Sequence, residues 1–260
     1  MSKILVFCGT AQAGKSSSAK YVSGLMLKQG GVCPWFEVHD ETGDLYIQAN
    51  TVDEQSNVKP AVCKLDLYRQ DFEFQQYAAA QLWPHAKIYS YANALKRSLN
   101  EIFGLHPQNL YGSNDDKNQP TQIKWENIKK LLPKTKLKQD GEFITHRQAA
   151  QVFGEVCRMI DNDCWVERCF AEINMDQYPH VMIDDCRYEN EIEVAKKYGA
   201  KIVLLTKNPL KMDHASEKIL EVDRSKFDYI IDNDGKFSIK DKEKQIYDIL
   251  IKEGWITASL

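Results

Sequence analysis

The chain has 260 residues, 43% of them hydrophobic and 27% charged, with a formal net charge of −3 and seven cysteines without a C-x-x-C pair. These values predict a globular protein with one sizeable core and reduced thiols, in a cytoplasmic setting, rather than a disulfide or zinc framework. They do not support stable nucleic-acid binding, and neither a membrane-spanning run nor a signal peptide is predicted.

The first predicted strand, at residues 3–7, leads directly into a phosphate-binding motif. Residues 9–16, named here the phosphate loop, have the pattern G-x-x-x-x-G-K-S. Glycines permit the turns that bring backbone N–H groups to phosphate oxygens, while Lys15 reaches the β- and γ-phosphates and Ser16 ligates Mg²⁺. The helix predicted at 17–28 adds the positive end of its dipole. This pattern predicts a nucleoside triphosphate site formed by Gly9, Ala11, Ala13, Gly14, Lys15, Ser16 and Ser17.

The next segment departs from the alternation of strand and helix. Residues 35–48 are predicted to form a β-hairpin with its turn at 41–44. Residues 48–71 are polar and are predicted to be an irregular loop. The whole segment 33–72 is therefore interpreted as an insertion after the first helix.

The alternation resumes after the insertion. A helix is predicted at 74–83, a strand at 86–91 and a second helix at 93–103. Leu95, Leu99, Ile102 and Phe103 are predicted to share one face of that second helix. Residues 106–145 are polar and rich in lysine, and contain one short predicted helix at 125–132, which is typical of a segment that covers a substrate or of a plain surface loop.

The remaining chain contains the other predicted elements of the fold. They are helices at 146–158, from 163, at 189–198 and at the C-terminus, and strands at 180–184, 201–206 and 227–231. Five apolar strands alternating with helices predict an α/β fold of the P-loop NTPase type, with a five-stranded parallel sheet and helices on both faces. Ligands in such folds bind beyond the carboxyl ends of the strands.

Two acids and an arginine lie where the strand at 180–184 ends. In P-loop proteins an acid at this place approaches the Mg²⁺ shell, so Asp185 is a candidate metal ligand, and the guanidinium fork of Arg187 matches phosphate oxygens. The competing interpretation is an acidic strand end with a solvated arginine. The six histidines lack ligand spacing, so no separate metal site is predicted. Further candidates for phosphate contact are Lys96, Arg97, Arg147, Arg158 and Arg224.

Several motifs occur together in a particular order along the chain. After the phosphate loop these are Y-A-N-A-L-K at 91–96, Arg147-x-x-x-Gln151-x-x-Gly154, Asp163-x-Trp165, Asp185-x-Arg187-x-x-x-Glu191, His214-x-x-Glu217 and D-Y-I-I-D-N-D-G at 228–235. In order and spacing the chain resembles the deoxynucleoside monophosphate kinases of tailed bacteriophages, a branch of the P-loop kinases related in plan to dephospho-CoA kinase.

The resemblance implies a single kinase domain over 1–260 that uses ATP and Mg²⁺ to phosphorylate deoxynucleoside 5′-monophosphates. It implies an acceptor-binding region at 93–165 and a lid at 207–226 that carries His214 and Glu217. The implied catalytic residues are Lys15, Arg147, Asp185 and Arg187. The implied substrate-binding residues are Lys96, Arg147, Gln151, Arg187 and Glu191. Asn233 and Gly235 are expected near the adenine of ATP, Ser16 and Asp185 near Mg²⁺, and a homodimer is compatible with the family.

Two other hypotheses stay open at this point. The acceptor could be dephospho-CoA or a hydroxymethylated base in DNA, although a DNA acceptor should need a basic groove. Alternatively, the protein could be a scaffold that binds nucleotide without catalysis, against which the intact Lys15 and Ser16 speak. The segments 33–72 and 106–145 depart from the family pattern and leave the acceptor base unspecified.

Overall fold

The computed structural model of the chain describes residues 2–52, 58–129, 141–209, 219–235 and 238–257. The chain divides into two compact units. The first consists of Met1–Ser90 and Phe170–Leu260, and the second of Tyr91–Cys169. The second unit includes the whole segment 93–165, whose predicted role in acceptor binding stays a prediction.

The described residues contain the following strands and helices. The strands are β1 (Lys3–Cys8), β2 (Phe36–Val38), β3 (Leu45–Val52), β4 (Val58–Lys64), β5 (Lys87–Tyr89), β6 (Pro120–Lys124), β7 (Phe143–Thr145), β8 (His180–Cys186), β9 (Lys201–Leu205) and β10 (Tyr229–Ile231). The helices are α1 (Lys15–Gln29), α2 (Phe72–Gln81), α3 (Ala92–Phe103), α4 (Pro107–Tyr111), α5 (Asn114–Lys117), α6 (Trp125–Ile128), α7 (His146–Ile160), α8 (Cys164–Asp176), α9 (Glu189–Lys197) and α10 (Ile239–Lys252).

The core of the first unit is a five-stranded sheet with the order β10-β9-β1-β8-β5. All four strand pairings are parallel, which confirms the predicted sheet. The central strand β1 is buried from Ile4 to Cys8, as expected of a parallel strand covered on both faces. Helices α1 and α10 contribute Val22, Ile246 and Leu250 to the same buried cluster as Leu5 and Phe7 of this strand.

The insertion forms a small antiparallel sheet with the order β2-β3-β4. The predicted hairpin is confirmed as β2 and β3, but the prediction of an irregular loop over 48–71 is wrong, because β4 pairs with β3 along its whole length. Strand β4 has exposed side chains on both faces, so its sequence lacks the alternation by which a half-buried strand is recognised.

The small sheet packs against α1 at a glycine. A Cβ atom on Gly24 would lie 2.3 Å from the Phe36 ring, so only glycine allows this approach. Lys20 of α1 donates hydrogen bonds to the carbonyl oxygen of Gly43 and to the Asp44 carboxylate at 3.0 and 3.2 Å. The hairpin turn is therefore attached to the helix that follows the phosphate loop.

The second unit has its own core between α3 and α7. Leu95 and Leu99 are buried there, whereas Ile102 is 65% exposed and Phe103 39% exposed, so the N-terminal half of the shared face is the part that is buried. A Cβ atom on Gly154 would lie 2.9 Å from the Leu95 side chain, which explains the glycine by close packing of the two helices.

Residues 106–145 contain more regular structure than the single predicted helix. The short helices α4 and α5 precede a two-stranded antiparallel ribbon of β6 and β7, and α6 follows β6. Local capping fixes the starts of α4 and α5: the His106 side chain accepts a hydrogen bond from the Gln108 N–H, and Ser113 and Asp116 form a capping box. Helices this short have no hydrophobic period, so the pattern could not reveal them. The last residues of the helix predicted at 125–132 lie outside the described residues.

All seven cysteines are free, as predicted. Cys63 on β4 is exposed, whereas the other six are buried or half-buried. No helix in the described ranges is long and apolar enough to cross a membrane.

Candidate active site

The phosphate loop has the backbone conformation that its glycines predict. Gly14 has φ 95° and Gly9 has φ 155°, and Gln12 is left-handed with φ 60°. A Cβ atom on Gly9 would lie 2.9 Å from the carbonyl oxygen of Leu205 at the end of β9. The loop therefore needs Gly14 for its left-handed turn and Gly9 for its close contact with the neighbouring strand β9.

The side chain of Lys15 folds back over the loop from the start of α1. It is 6% exposed, and its Nζ donates hydrogen bonds to the carbonyl oxygens of Gly9 and Thr10 at 2.7 and 2.6 Å. The pKa of Lys15 is lowered to about 8, first by burial and then by the Arg187 guanidinium, against the opposing effect of the Asp185 carboxylate. The structure thus brings Lys15, Asp185 and Arg187 within electrostatic range of one another.

The two acids at the end of β8 have different partners. Successive side chains of a strand point to opposite faces, so Asp184 and Asp185 cannot share one environment. Asp184 is buried and accepts a hydrogen bond of 2.5 Å from the Tyr68 hydroxyl, which is also hydrogen-bonded to the Ser16 side chain. Asp185 accepts one from the Ser90 hydroxyl. Asp184 is therefore connected to the hydroxyl of the phosphate loop, and Asp185 to the end of β5.

Tyr68 comes from the insertion, in the connection between β4 and α2. Its backbone N–H donates to the Asp66 side chain at 3.0 Å, and its carbonyl oxygen accepts from the Gln70 side chain at 2.8 Å. The pKa of Tyr68 is raised well above its usual value, chiefly by burial and next by the Asp184 carboxylate. The hydroxyl is therefore a neutral hydrogen-bond donor between a serine and a buried acid.

Glu191 supports the turn that presents Arg187. The residue is 4% exposed, and its carboxylate accepts hydrogen bonds from the backbone N–H groups of Arg187 and Tyr188 at 2.8 and 3.1 Å. The Tyr188 N–H is the N-cap donor at the start of α9, and the Arg187 N–H immediately precedes it. In this structure Glu191 positions Arg187.

Asn233 connects the phosphate loop with the connection after β9. Its side chain donates to the carbonyl oxygen of Ala13 at 2.8 Å and accepts from the backbone N–H of Lys207 at 2.9 Å. Thr10 of the loop is buried and donates to the carbonyl oxygen of Lys207 at 2.8 Å. Gly235 is left-handed, with φ 75°, in the turn that follows. The ends of β1, β9 and β10 are thereby held together.

The second unit holds the other predicted substrate-binding residues. Arg147 at the start of α7 donates to the Asn118 and Asn114 side chains at 3.1 and 2.8 Å. Gln151 follows four residues later in the same helix, on the same side. The Lys96 ammonium of α3 lies 4.5 Å from the centre of the Tyr111 ring. His214 and Glu217, the predicted lid residues, lie outside the described residues.

Three residues at the site were not assigned to it from the sequence. Tyr68 lies in an insertion, and no motif indicates that this segment reaches the loop. Asp184 precedes Asp185, and only Asp185 was assigned to the site from the sequence. Lys242 in α10 donates a hydrogen bond of 2.8 Å to the Ser17 hydroxyl. A signal for Lys242 did exist, because it occupies the buried helix face together with Ile246, Ile249 and Leu250.

Comparison with known proteins assigns the chain to a family. No curated protein matches the chain. The model of the deoxynucleotide monophosphate kinase family matches residues 3–244, from β1 into α10. This match confirms the resemblance to deoxynucleoside monophosphate kinases, and with it the class of enzyme, a phosphotransferase that phosphorylates deoxynucleoside monophosphates. Since the match covers nearly the whole chain, the protein belongs to the deoxynucleotide monophosphate kinase family.

Proposed function

We propose that this kinase uses ATP with Mg²⁺ as the donor and transfers the γ-phosphate to a deoxynucleoside 5′-monophosphate. The observation that carries the proposal is the cluster of Lys15, Asp185 and Arg187 beside a phosphate loop of the expected geometry. Phosphoryl transfer depends mainly on positioning and on positive charge around the transferred group. This cluster supplies two cations and one balancing acid.

The first unit would hold the donor. The backbone N–H groups of the loop, including those of Ala11, Ala13 and Ser17, suit phosphate oxygens at the start of α1. Lys15 now donates to carbonyl oxygens of its own loop and would exchange these partners for the β- and γ-phosphates. Asn233 and Gly235 follow the last strand and would lie beside the adenine, as the resemblance implies.

The residues around Ser16 fit Mg²⁺. Oxygen atoms are available there from the Ser16 hydroxyl and from the carboxylates of Asp184 and Asp185, and oxygen is the ligand that Mg²⁺ prefers. Within the described ranges no group of three or more His, Cys, Asp or Glu side chains forms a separate cage, which suits an ion held largely by phosphates and water. When bound, Mg²⁺ neutralises charge on the phosphates. We assign Ser16 and Asp184 as its nearest protein partners and Asp185 as an outer one.

The acceptor would bind through the motif that contains Arg147 and Gln151 and the motif that contains Asp185 and Arg187. Arg187 and Arg147 would neutralise its phosphate, and Gln151 and Lys96 would contact the nucleotide, as the resemblance implies. Glu191 would act by positioning Arg187. The acceptor phosphate is itself a nucleophile, so the protein need not supply a general base. Closure of the segment 207–226, with His214 and Glu217, would exclude water from the donor.

We further propose a cytoplasmic enzyme that works as a homodimer without stable nucleic-acid binding. The seven free cysteines suit a reducing compartment, and the net charge of −3 does not favour a nucleic-acid partner. Light scattering coupled to size-exclusion chromatography tests the dimer. A single mass near the 29.9 kDa of one chain would contradict it.

The decisive experiment measures ADP release from ATP and Mg²⁺ with each deoxynucleoside monophosphate in turn. Dephospho-CoA, hydroxymethylated duplex DNA and a blank without acceptor are run in parallel, with wild type and Lys15→Ala. We expect stimulation by one or more deoxynucleotides and its loss in the variant. Stimulation by DNA or dephospho-CoA alone would overturn the acceptor, and binding of ATP without stimulation would favour a scaffold.

A further inference from the structure

Lys242 is a buried lysine that no motif of the phosphate loop explains. It is 5% exposed, and it lies on the face of α10 that carries Ile246, Ile249 and Leu250 into the core. A lysine at such a position is rare, because burying an ammonium group is costly unless it is paired. The position therefore calls for a ligand of opposite charge or for a structural partner.

The ammonium of Lys242 lies at the opposite end of the phosphate loop from that of Lys15. Its Nζ is 2.8 Å from the Ser17 hydroxyl oxygen, and a Cβ atom on Gly14 would lie 3.2 Å from it. Lys15 instead reaches back to the carbonyl oxygens of Gly9 and Thr10. The loop is thus flanked by two buried lysines, one at each end.

The partners of Lys242 in the structure are too few for an ammonium group. An ammonium has three N–H donors, and within the described ranges this one donates a single hydrogen bond, to a neutral hydroxyl. The pKa of Lys242 is lowered to about 8, mainly by burial, with Lys207 lowering it further and Glu243 opposing. An anion placed beside Ser17 would supply the missing acceptors.

We propose that Lys242 is a further binding residue for the donor nucleotide, and that its ammonium contacts the α-phosphate. The backbone of a phosphate loop cradles the α- and β-phosphates, and its own lysine reaches the β- and γ-phosphates. A second cation at the Gly14–Ser17 end therefore faces the phosphate nearest the nucleoside. The inference rests on the proposed ATP site and adds to it a residue from the last helix.

The first test compares nucleotide affinities of Lys242→Met, Lys242→Arg and wild type by calorimetry. A charged hydrogen bond to the α-phosphate is present with both ADP and ATP, so we expect Lys242→Met to weaken both by the same factor, about ten- to a hundredfold. Lys242→Arg should retain most of the affinity. Lys244→Met, an exposed lysine of the same helix, is the matched control and should bind like wild type. Unchanged ADP and ATP affinities in Lys242→Met would overturn the proposal.

A second readout separates binding from support of the loop. With ¹³Cε-labelled lysine, the Lys242 signal is assigned by its absence in Lys242→Arg. A nearby phosphate stabilises the ammonium, so ADP should raise the pKa of Lys242 in the wild-type protein. A lysine that only supports Ser17 would keep its pKa, which would overturn the inference even if Lys242→Met failed to fold. Failure of wild type to bind either nucleotide would instead overturn the proposed ATP site itself.

Discussion

The two ends of the phosphate loop differ in how their lysines are surrounded. At one end Lys15 is held by carbonyl oxygens of the loop, with Asp185 and Arg187 in electrostatic range. At the other end Lys242 contacts the Ser17 hydroxyl, and the charged residues that shift its pKa are Glu243 and Lys207. Both lysines are buried, and the pKa of each is lowered to about 8.

The difference indicates that the two lysines, Lys15 from the loop itself and Lys242 from α10, supply positive charge to the loop for different purposes. The Lys15 end is provided with acids and a second cation at the end of β8, which suits a place where charge changes during a reaction. The Lys242 end has no acid in hydrogen-bond contact with the lysine within the described ranges, which suits a fixed negative group that remains throughout. We therefore expect substitutions at the first end to affect turnover and metal use, and those at the second to affect affinity.

The largest expected effect is that of Lys15→Met on turnover. Loss of this cation removes a contact that strengthens in the transition state, so kcat should fall on the order of a thousandfold. Lys28→Met, an exposed lysine in the last turn of α1, is the control and should keep wild-type activity. Steady-state ADP release measures both. A normal kcat in Lys15→Met would remove the functional distinction between the two ends.

The second prediction concerns stability and the Lys242 end. Because the pKa of Lys242 is about 8 in the folded protein and its ordinary value is 10.5, the unfolded chain binds more protons between these values. The contribution of Lys242 to the free energy of unfolding therefore rises with pH across this window, by about 3 kcal/mol. Lys242→Met lacks this contribution, so it should be more stable relative to wild type at pH 7 than at pH 10.5.

Urea unfolding at a series of pH values measures that difference. Lys244→Met should show a difference from wild type that does not change with pH. A pH-independent difference for Lys242→Met as well would mean that the pKa of Lys242 is not lowered in the folded protein.

The third prediction separates the two acids at the end of β8. Asp184 is connected to Ser16 through Tyr68, whereas Asp185 faces Ser90. Asp184→Asn should therefore raise the Mg²⁺ concentration for half-maximal activity by about ten- to a hundredfold, with a smaller change in Asp185→Asn. Magnesium titrations at saturating ATP measure this. The reverse order would make Asp185 the nearer partner of the ion.

The smallest effect is expected for Tyr68→Phe, and it should have opposite signs in two assays. The hydroxyl donates to Asp184 and competes with Mg²⁺ for this carboxylate, so its removal should lower the half-maximal Mg²⁺ concentration by about two- to tenfold. The free protein should lose about 1 kcal/mol of stability with the same hydrogen bond. Tyr46→Phe on β3 is the control. A higher Mg²⁺ requirement in Tyr68→Phe would show that the hydroxyl assists the ion.

The residues that could be predicted are those whose signal is local. A short run of neighbouring residues is enough to predict the phosphate loop, the five parallel strands and the hairpin, and the structure contains all of them. Strand β4 was missed because nothing on it is buried, and Tyr68 because its contact with Asp184 joins residues 116 positions apart. The sequence shows that Lys242 lies on the apolar face of α10, but it does not show that this face brings the lysine to Ser17. The role of Lys242 could therefore not be predicted.

The exposed position of Cys63 has a practical consequence for following these events in solution. It lies on β4, while the other six thiols are buried or half-buried, and burial raises the pKa of Cys33, Cys157, Cys164 and Cys186. A maleimide dye at neutral pH should therefore react first at Cys63. The dye would lie on the same insertion that supplies Tyr68. A change in its fluorescence on addition of magnesium and nucleotide would therefore report a conformational change of that insertion.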